Sequence, residues 1–118
     1  MTGEIGEHTM STAPTERVGT HLMFENDRVR VWDLALAPGE WLERHIHRED
    51  FFFIVVDGGH MRMVDPDDPD AAPAFDYEDD QVVFIEANGG TVHQRLTNIG
   101  TKPYRNLVIE LKSGTDKG

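Results

Sequence analysis

No window of about a dozen residues in this chain repeats its apolar positions at helical spacing; apolar residues come in short runs, each stopped by glycine, proline or asparagine. Arg28 to Leu36 is rich in β-branched and apolar residues and halts at Pro38-Gly39. Trp41 to His47 mixes polar and apolar residues at strand spacing. Phe51 to Val56 is a continuous apolar run, too short for a helix and suited to a strand buried on both faces. The Asp57-Gly58-Gly59 that follows predicts a tight hairpin turn into a return strand from His60 to Val64. Val82 to Glu86, Thr91 to Thr97 and Arg105 to Leu111 complete the set, with turns at Asn88-Gly89-Gly90 and Asn98-Ile99-Gly100. The last strand alternates strictly, which sets Leu107, Ile109 and Leu111 on one face. Asp65 to Ala74 holds three prolines, which cannot donate to a ladder, so it reads as a loop. Seven or eight short strands with turns at this spacing predict an all-β sandwich or barrel.

A chain of 118 residues makes one domain. Residues 1–17 are polar and aperiodic and read as an arm, open to adding a strand to a partner subunit; 18–112 form the strand-rich domain and 113–118 a tail. Acidic residues outnumber basic ones 22 to 11, for a net charge of -11. Nucleic acid and anionic membranes require lysine and arginine, and none occurs between Arg62 and Arg95, so neither is expected as a partner. No apolar run approaches the ~20 residues of a membrane span, and the opening residues lack the apolar segment of a secretory leader. Cysteine is absent, which removes disulfides, thiolate chemistry and cysteine-bound zinc and suits a reducing cytoplasm. Eight acidic residues between Asp65 and Asp80 lack the spacing of a calcium loop and read as a solvated loop. There is no nucleophile elbow, no phosphate-binding loop and no paired carboxylates placed for glycoside hydrolysis.

Chemistry concentrates in three of the six histidines. His45 and His47 are two residues apart, so on a strand they point to one face with about 7 Å between them, and two imidazoles can converge on one metal ion. His93, beside Gly89-Gly90 on a later strand, closes the site if the sheet curls. His8, His21 and His60 have no partner at ligand spacing.

The pattern Gly39-x5-His45-x-His47, then Phe51 and Gly58, with Gly90-x2-His93 and Asn98 further on, resembles the two signature motifs of the cupin superfamily. The likeness covers about residues 22 to 112, and its nearest group is the small single-domain cupins associated with β-alanine degradation. It departs from the family pattern at Phe51, where the first motif has glutamate, and at Val82 and Asn88, where the second has glycine and proline; Asn98 falls one residue late. The resemblance implies a cupin-type antiparallel β-barrel or jelly roll (a double-stranded β-helix). It also implies a divalent transition metal on His45, His47 and His93, as in three-histidine cupin dioxygenases, with open positions for substrate or water. Iron(II) or manganese suits such a set best, and zinc, nickel and copper also accept imidazole.

Parity along the strands assigns the remaining roles. Glu43 matches His45 and His47 and is a candidate ligand, acceptor or base; Arg95 matches His93 and would pair with a substrate carboxylate. Phe51 and Phe53 share a face and form an apolar wall, and Met61 with Met63 lines the pocket. Asp50 would need a bulge to reach the metal. Trp32, Leu34 and Leu36 make an apolar face for the core or a subunit contact, Trp41 sits at a rim, and Tyr77 and Tyr104 carry no assigned role. The function expected is a metal-dependent dioxygenase-like enzyme, lyase or isomerase on a small organic acid or enolisable carbonyl compound; the alternative is a cupin that binds a ligand without turnover or is purely structural. A homodimer is expected, through the Val29 to Leu36 strand or the N-terminal arm.

Overall fold

The computed structural model describes residues 14–65, 67–68 and 72–113; the rest of the expected arm and tail lies outside the described residues. Among the described residues eleven strands follow one another: β1 (His21–Glu25), β2 (Val29–Leu36), β3 (Trp41–Leu42), β4 (His45–His47), β5 (Asp50–Asp57), β6 (Gly59–Val64), β7 (Ala74–Tyr77), β8 (Val82–Ile85), β9 (Thr91–His93), β10 (Arg95–Asn98) and β11 (Tyr104–Leu111). They form a five-stranded sheet in the order β1-β2-β11-β5-β8, a four-stranded sheet β3-β10-β6-β7, and the pair β4-β9. Every one of these strand pairs is antiparallel. The chain is all-β, as the patterning requires. Among the described residues no helix is long and apolar enough to cross a membrane.

Several strands expected as single pieces are broken. Trp41 to His47 divides at Glu43-Arg44, and Thr91 to Thr97 divides at Gln94. Two strands were not expected: β1, and β7, which grows out of the acidic loop and pairs with β6. Asp57-Gly58-Gly59 is not a hairpin turn. β5 pairs with β11 and β8, while β6 pairs with β10 and β7, so the chain crosses from one sheet to the other there. Glycine is required at this corner, because a Cβ on Gly58 would lie 2.2 Å from the Tyr77 carbonyl oxygen. Thr15, inside the expected arm, is tied to the domain: its N–H donates to Arg44 O at 3.1 Å, and its carbonyl accepts from Ile46 N–H at 2.8 Å.

The core sits between the two larger sheets. β2 contributes Trp32, Leu34 and Leu36, β5 contributes Phe51, Phe53 and Val55, and Met61, Leu96 and Leu42 face them from the opposite layer. Every second residue turns inward because successive side chains of a strand point to opposite faces. Burying each large apolar side chain contributes about 1.5–3 kcal/mol relative to exposure. β5 is therefore buried on one face, not both: Phe52, Ile54 and Val56 are only half-buried. β2 is also not a free edge, since β1 and β11 flank it.

In β11 the buried positions are Tyr104, Asn106, Val108 and Glu110, so Leu107, Ile109 and Leu111 lie on the outer face. Burial of Glu110 is tolerated because Trp32 Nε1 donates to it at 2.8 Å and Arg30 at 3.0 Å. Such partners offset the desolvation of a buried carboxylate.

Asn98 shows why an asparagine serves at the end of β10. Fully buried, it donates from Nδ2 to the carbonyls of Leu36 (2.9 Å) and Lys102 (2.8 Å), and its Oδ1 accepts from Gly100 N–H (2.9 Å). One side chain thus joins β2 to the loop leading into β11. Asn98→Ala leaves these backbone groups without partners and is expected to cost on the order of 3 kcal/mol, read as a lower urea midpoint with an unchanged denaturant slope; a loss under about 0.5 kcal/mol would refute this role.

Candidate metal centre

The β4-β9 pairing brings the three histidines together. His45 lies directly opposite His93, and His47 opposite Thr91. Residues opposite one another in an antiparallel pair share a face, as do residues two apart on one strand, so all three imidazoles project to the same side. Their ring centroids are 4.9, 5.4 and 4.8 Å apart. One ligand nitrogen from each lies within 4.8 Å of the others. Two nitrogens on one tetrahedral ion stand about 3.4 Å apart, so each ring tip needs to move by less than about an ångström.

Two details show that the residues fit a metal. The Nδ1 of His45 is 2.8 Å from the Glu43 carbonyl oxygen, to which it donates, leaving Nε2 unprotonated as a ligand. The Nδ1 of His47 is buried without a hydrogen-bond partner. Burial, then the neighbouring His45 and His93, pushes the pKa of His47 down to about 2; burial, then His45, pushes that of His93 down to about 4. Burial also lowers His45, against the hydrogen bond to Glu43. All three rings are neutral at pH 7, the form that binds metal.

A pH dependence follows for the metal-free chain. Unfolded histidine takes up a proton near 6.5, while the folded state resists until about 4 at His93 and about 2 at His47. The stability linked to these rings is whole above pH 6.5 and is lost as the pH falls through this window. In chelator-treated protein the urea midpoint is expected to fall more steeply between pH 7 and pH 4 for the wild type than for His93→Gln; parallel slopes would contradict it.

Phe51 completes the arrangement. It is 1% exposed and its ring stacks on His47 with centroids 3.7 Å apart and planes 10° from parallel. The position that carries glutamate in the cupin motif thus holds an apolar plate that orients the His47 imidazole. The imidazoles open onto a cavity of about 120 Å³ whose walls include Phe51, Phe53, Met63, Tyr77 and Asn106. A larger recess, about 850 Å³, lies at the Gly58 corner, where His60 and Asp76 pair at 2.6 Å. It shares only Tyr77 with the histidine cavity and is the more open of the two.

His45, His47, His93, Phe51 and Phe53 are brought together. Met61 is fully buried in the core, and Met63 rather than Met61 meets the cavity. Glu43 and Arg95 pair with each other at 2.9 Å, with Arg95 over the Trp41 ring at 5.3 Å, and neither lines the cavity. Parity does not carry them inward because the breaks at Glu43-Arg44 and Gln94 reset the alternation. Glu43 still serves the site through its carbonyl. Asp50 accepts from Ala87 N–H at 2.9 Å and is exposed. His21 is exposed, and His8 lies outside the described residues. Asn106 and Tyr77 are the polar cavity residues that parity reasoning left unassigned; Asn106 shares its strand with Arg105 and Glu110, so its polarity alone did not single it out.

No protein-family profile matches the chain, and no curated protein does. Solved structures do. A cupin domain from Bordetella pertussis Tohama I is 18% identical, with a TM-score of 0.66 over 86% of this chain and 98% of that one. An RmlC-like cupin family protein with a double-stranded β-helix fold from Methanocaldococcus jannaschii is 14% identical, TM-score 0.59, over 85% and 87%. The polyketide cyclase RemF from Streptomyces resistomycificus is 18% identical, TM-score 0.55, over 75% of this chain and 57% of that one. At these identities the likeness is one of fold: the chain has the double-stranded β-helix of cupins.

Proposed function

We propose that this cupin-fold chain is a metal-dependent enzyme acting on a small organic acid or enolisable carbonyl compound, with iron(II) or manganese held by His45, His47 and His93. The observation that carries the reading is three neutral, mutually close imidazoles opening onto a small, mostly apolar cavity. Three neutral ligands leave a divalent ion its full charge, which favours anionic and enolate oxygens. A bound ion supplies Lewis acidity toward such an oxygen, and iron adds reactivity toward dioxygen. The chain's own residues do the rest: the Glu43 carbonyl holds His45, Phe51 holds His47, and Phe53 with Ile85 and Leu96 keeps water from the cavity. Arg95 would steer an acid from the rim, provided it leaves Glu43. Zinc, nickel and copper also suit the ligand set. A cysteine-free chain suits a reducing cytoplasm, and the narrower kinship with β-alanine-associated cupins rests on the sequence motifs alone.

A second reading, a cupin that binds a ligand without turnover, is favoured by the small cavity and by Phe51 in place of a carboxylate. Elemental analysis of untagged protein comes first, and about one transition metal per chain is expected. Oxygen consumption by iron-loaded protein is then followed with short 2-oxo acids and 1,3-diketones, and lyase or isomerase products are screened with manganese or zinc. Metal without turnover moves the reading to the binding module. No metal after anaerobic reconstitution leaves a structural cupin.

A further inference from the structure

We infer that Asn106 is the ligand-reading residue of the histidine cavity, and that the site takes a small acid bearing a hydroxyl. The inference rests on the proposed metal site and adds the chemistry of its far wall. Asn106 is 2% exposed and lines the same cavity as the three imidazoles. One end of its amide is taken: Nδ2 donates to Tyr104 Oη at 2.6 Å. The other end, Oδ1, is buried without a partner. A buried polar atom left unpaired costs about 1–3 kcal/mol; the Tyr77 hydroxyl and the three imidazoles share the cavity without bonding to it, and the rest of the wall is apolar. A group on the ligand is what satisfies it.

The cavity sets the ligand's size. At about 120 Å³ it is smaller than the apolar cavity of about 150 Å³ that accepts benzene, so a molecule of roughly six non-hydrogen atoms is the limit. A carboxylate toward the imidazoles and a hydroxyl toward Asn106 use both polar ends of an otherwise apolar space. A hydroxyl both donates and accepts, so it answers whichever end of the amide faces it.

The test compares glycolate with acetate, and 3-hydroxypropionate with propionate, by calorimetry on manganese-loaded protein whose metal content is measured. At one of the two lengths the hydroxyl is expected to raise affinity tenfold or more in the wild type. Asn106→Leu should bring that ratio to about one, with metal content and the plain acid's affinity unchanged. Metal bound with no hydroxyl preference in the wild type overturns the inference and leaves the proposed function standing; so does a preference that survives Asn106→Leu. If no metal binds, the proposed function fails, and the metal-free chain is probed with propan-1-ol and propane-1,3-diol by NMR titration. Preference for the diol then supports Asn106, and none overturns it. Should Asn106→Leu not fold, Asn106→Ala takes its place in the same comparison.

A second observation stands apart from the site. The strand registers place Phe24, Val31, Ile109, Phe52 and Phe84 side by side, one from each strand of the five-stranded sheet, on its outer face. Phe24 and Phe84 are 54% and 55% exposed. Leu107 and Ile54 continue the patch in the next row, where Asp33 is neutralised by Arg105 at 2.8 Å. With strands about 4.8 Å apart the row crosses about 20 Å, and contiguous apolar patches of a few hundred Å² mark interaction surfaces. We propose that a second copy of this chain covers the face. Residues 1–13 hold only Met1, Ile5 and Met10 as large apolar groups, too few to cover it, whereas a second copy brings an equal apolar core set within a polar rim. Sedimentation velocity is expected to give a dimer at micromolar concentration. Phe24→Lys with Phe84→Lys, both at exposed positions, places charge on the apolar face and should yield a monomer. A monomeric wild type at 100 µM, or a double variant that still dimerises, overturns the proposal.

Discussion

His47→Ala is expected to reduce the metal content of the purified chain from about one ion to a small fraction of that, the largest functional effect of any single substitution in this chain. Loss of a residue that merely orients a ligand costs about 10–100-fold in metal affinity; loss of a ligand itself costs more. His47 is central to the set. Its ring is within 5 Å of both other imidazoles by centroid distance (4.9 and 4.8 Å), whereas His45 and His93 are 5.4 Å apart. The fold should survive, since the substitution removes a polar ring with an unsatisfied buried nitrogen and leaves the β4-β9 ladder intact. His45→Ala and His93→Ala are expected to follow, and His60→Ala, which touches only the exposed ion pair with Asp76, should keep its metal. Metal content is read by mass spectrometry on untagged protein, alongside circular dichroism. Retention of a full ion by folded His47→Ala would place the metal elsewhere.

Phe51→Ala should be among the most destabilising substitutions, by about 3–5 kcal/mol. The side chain is 1% exposed and belongs to the main core cluster. Removing it leaves a void beside His47 and takes away the plate that holds that ring. Phe51→Glu separates packing from coordination. Without metal it buries a carboxylate in an apolar site and should be at least as unstable as Phe51→Ala. With manganese it supplies the acid found at this position of the cupin motif, and its thermal midpoint should rise by more than the wild type's on adding the ion. A rise no larger than the wild type's would mean that position 51 does not face the metal.

Much of this was legible in the residues because strand signals are local. Alternation, β-branched runs and Gly or Pro stops marked most of the strands, and His-x-His on a strand required two imidazoles on one face. The glycine and histidine spacings carried the cupin resemblance, which the structural neighbours bear out at the level of fold. What failed was parity carried across a break. Glu43 and Arg95 were aligned with histidines two residues away, but Glu43-Arg44 and Gln94 leave the strand path, and the pair ends at the rim. The Asp57-Gly58-Gly59 turn had the composition of a hairpin and the geometry of a crossing between sheets, because composition reports backbone freedom at the glycines and not which strand comes next.

Most of the strands, the three candidate histidines and the apolar residue at position 51 could be read locally from the residues. Each follows from spacing within one strand or from the identity of one residue. The inward face of β11 was set in the folded chain, and with it the place of Asn106 in the cavity and of Ile109 on the outer face. A period of two is symmetric, so Leu107, Ile109 and Leu111 read as an apolar face equally well inside or out. The choice was made by partners far along the chain: Trp32 and Arg30, which stabilise Glu110 on the inner face.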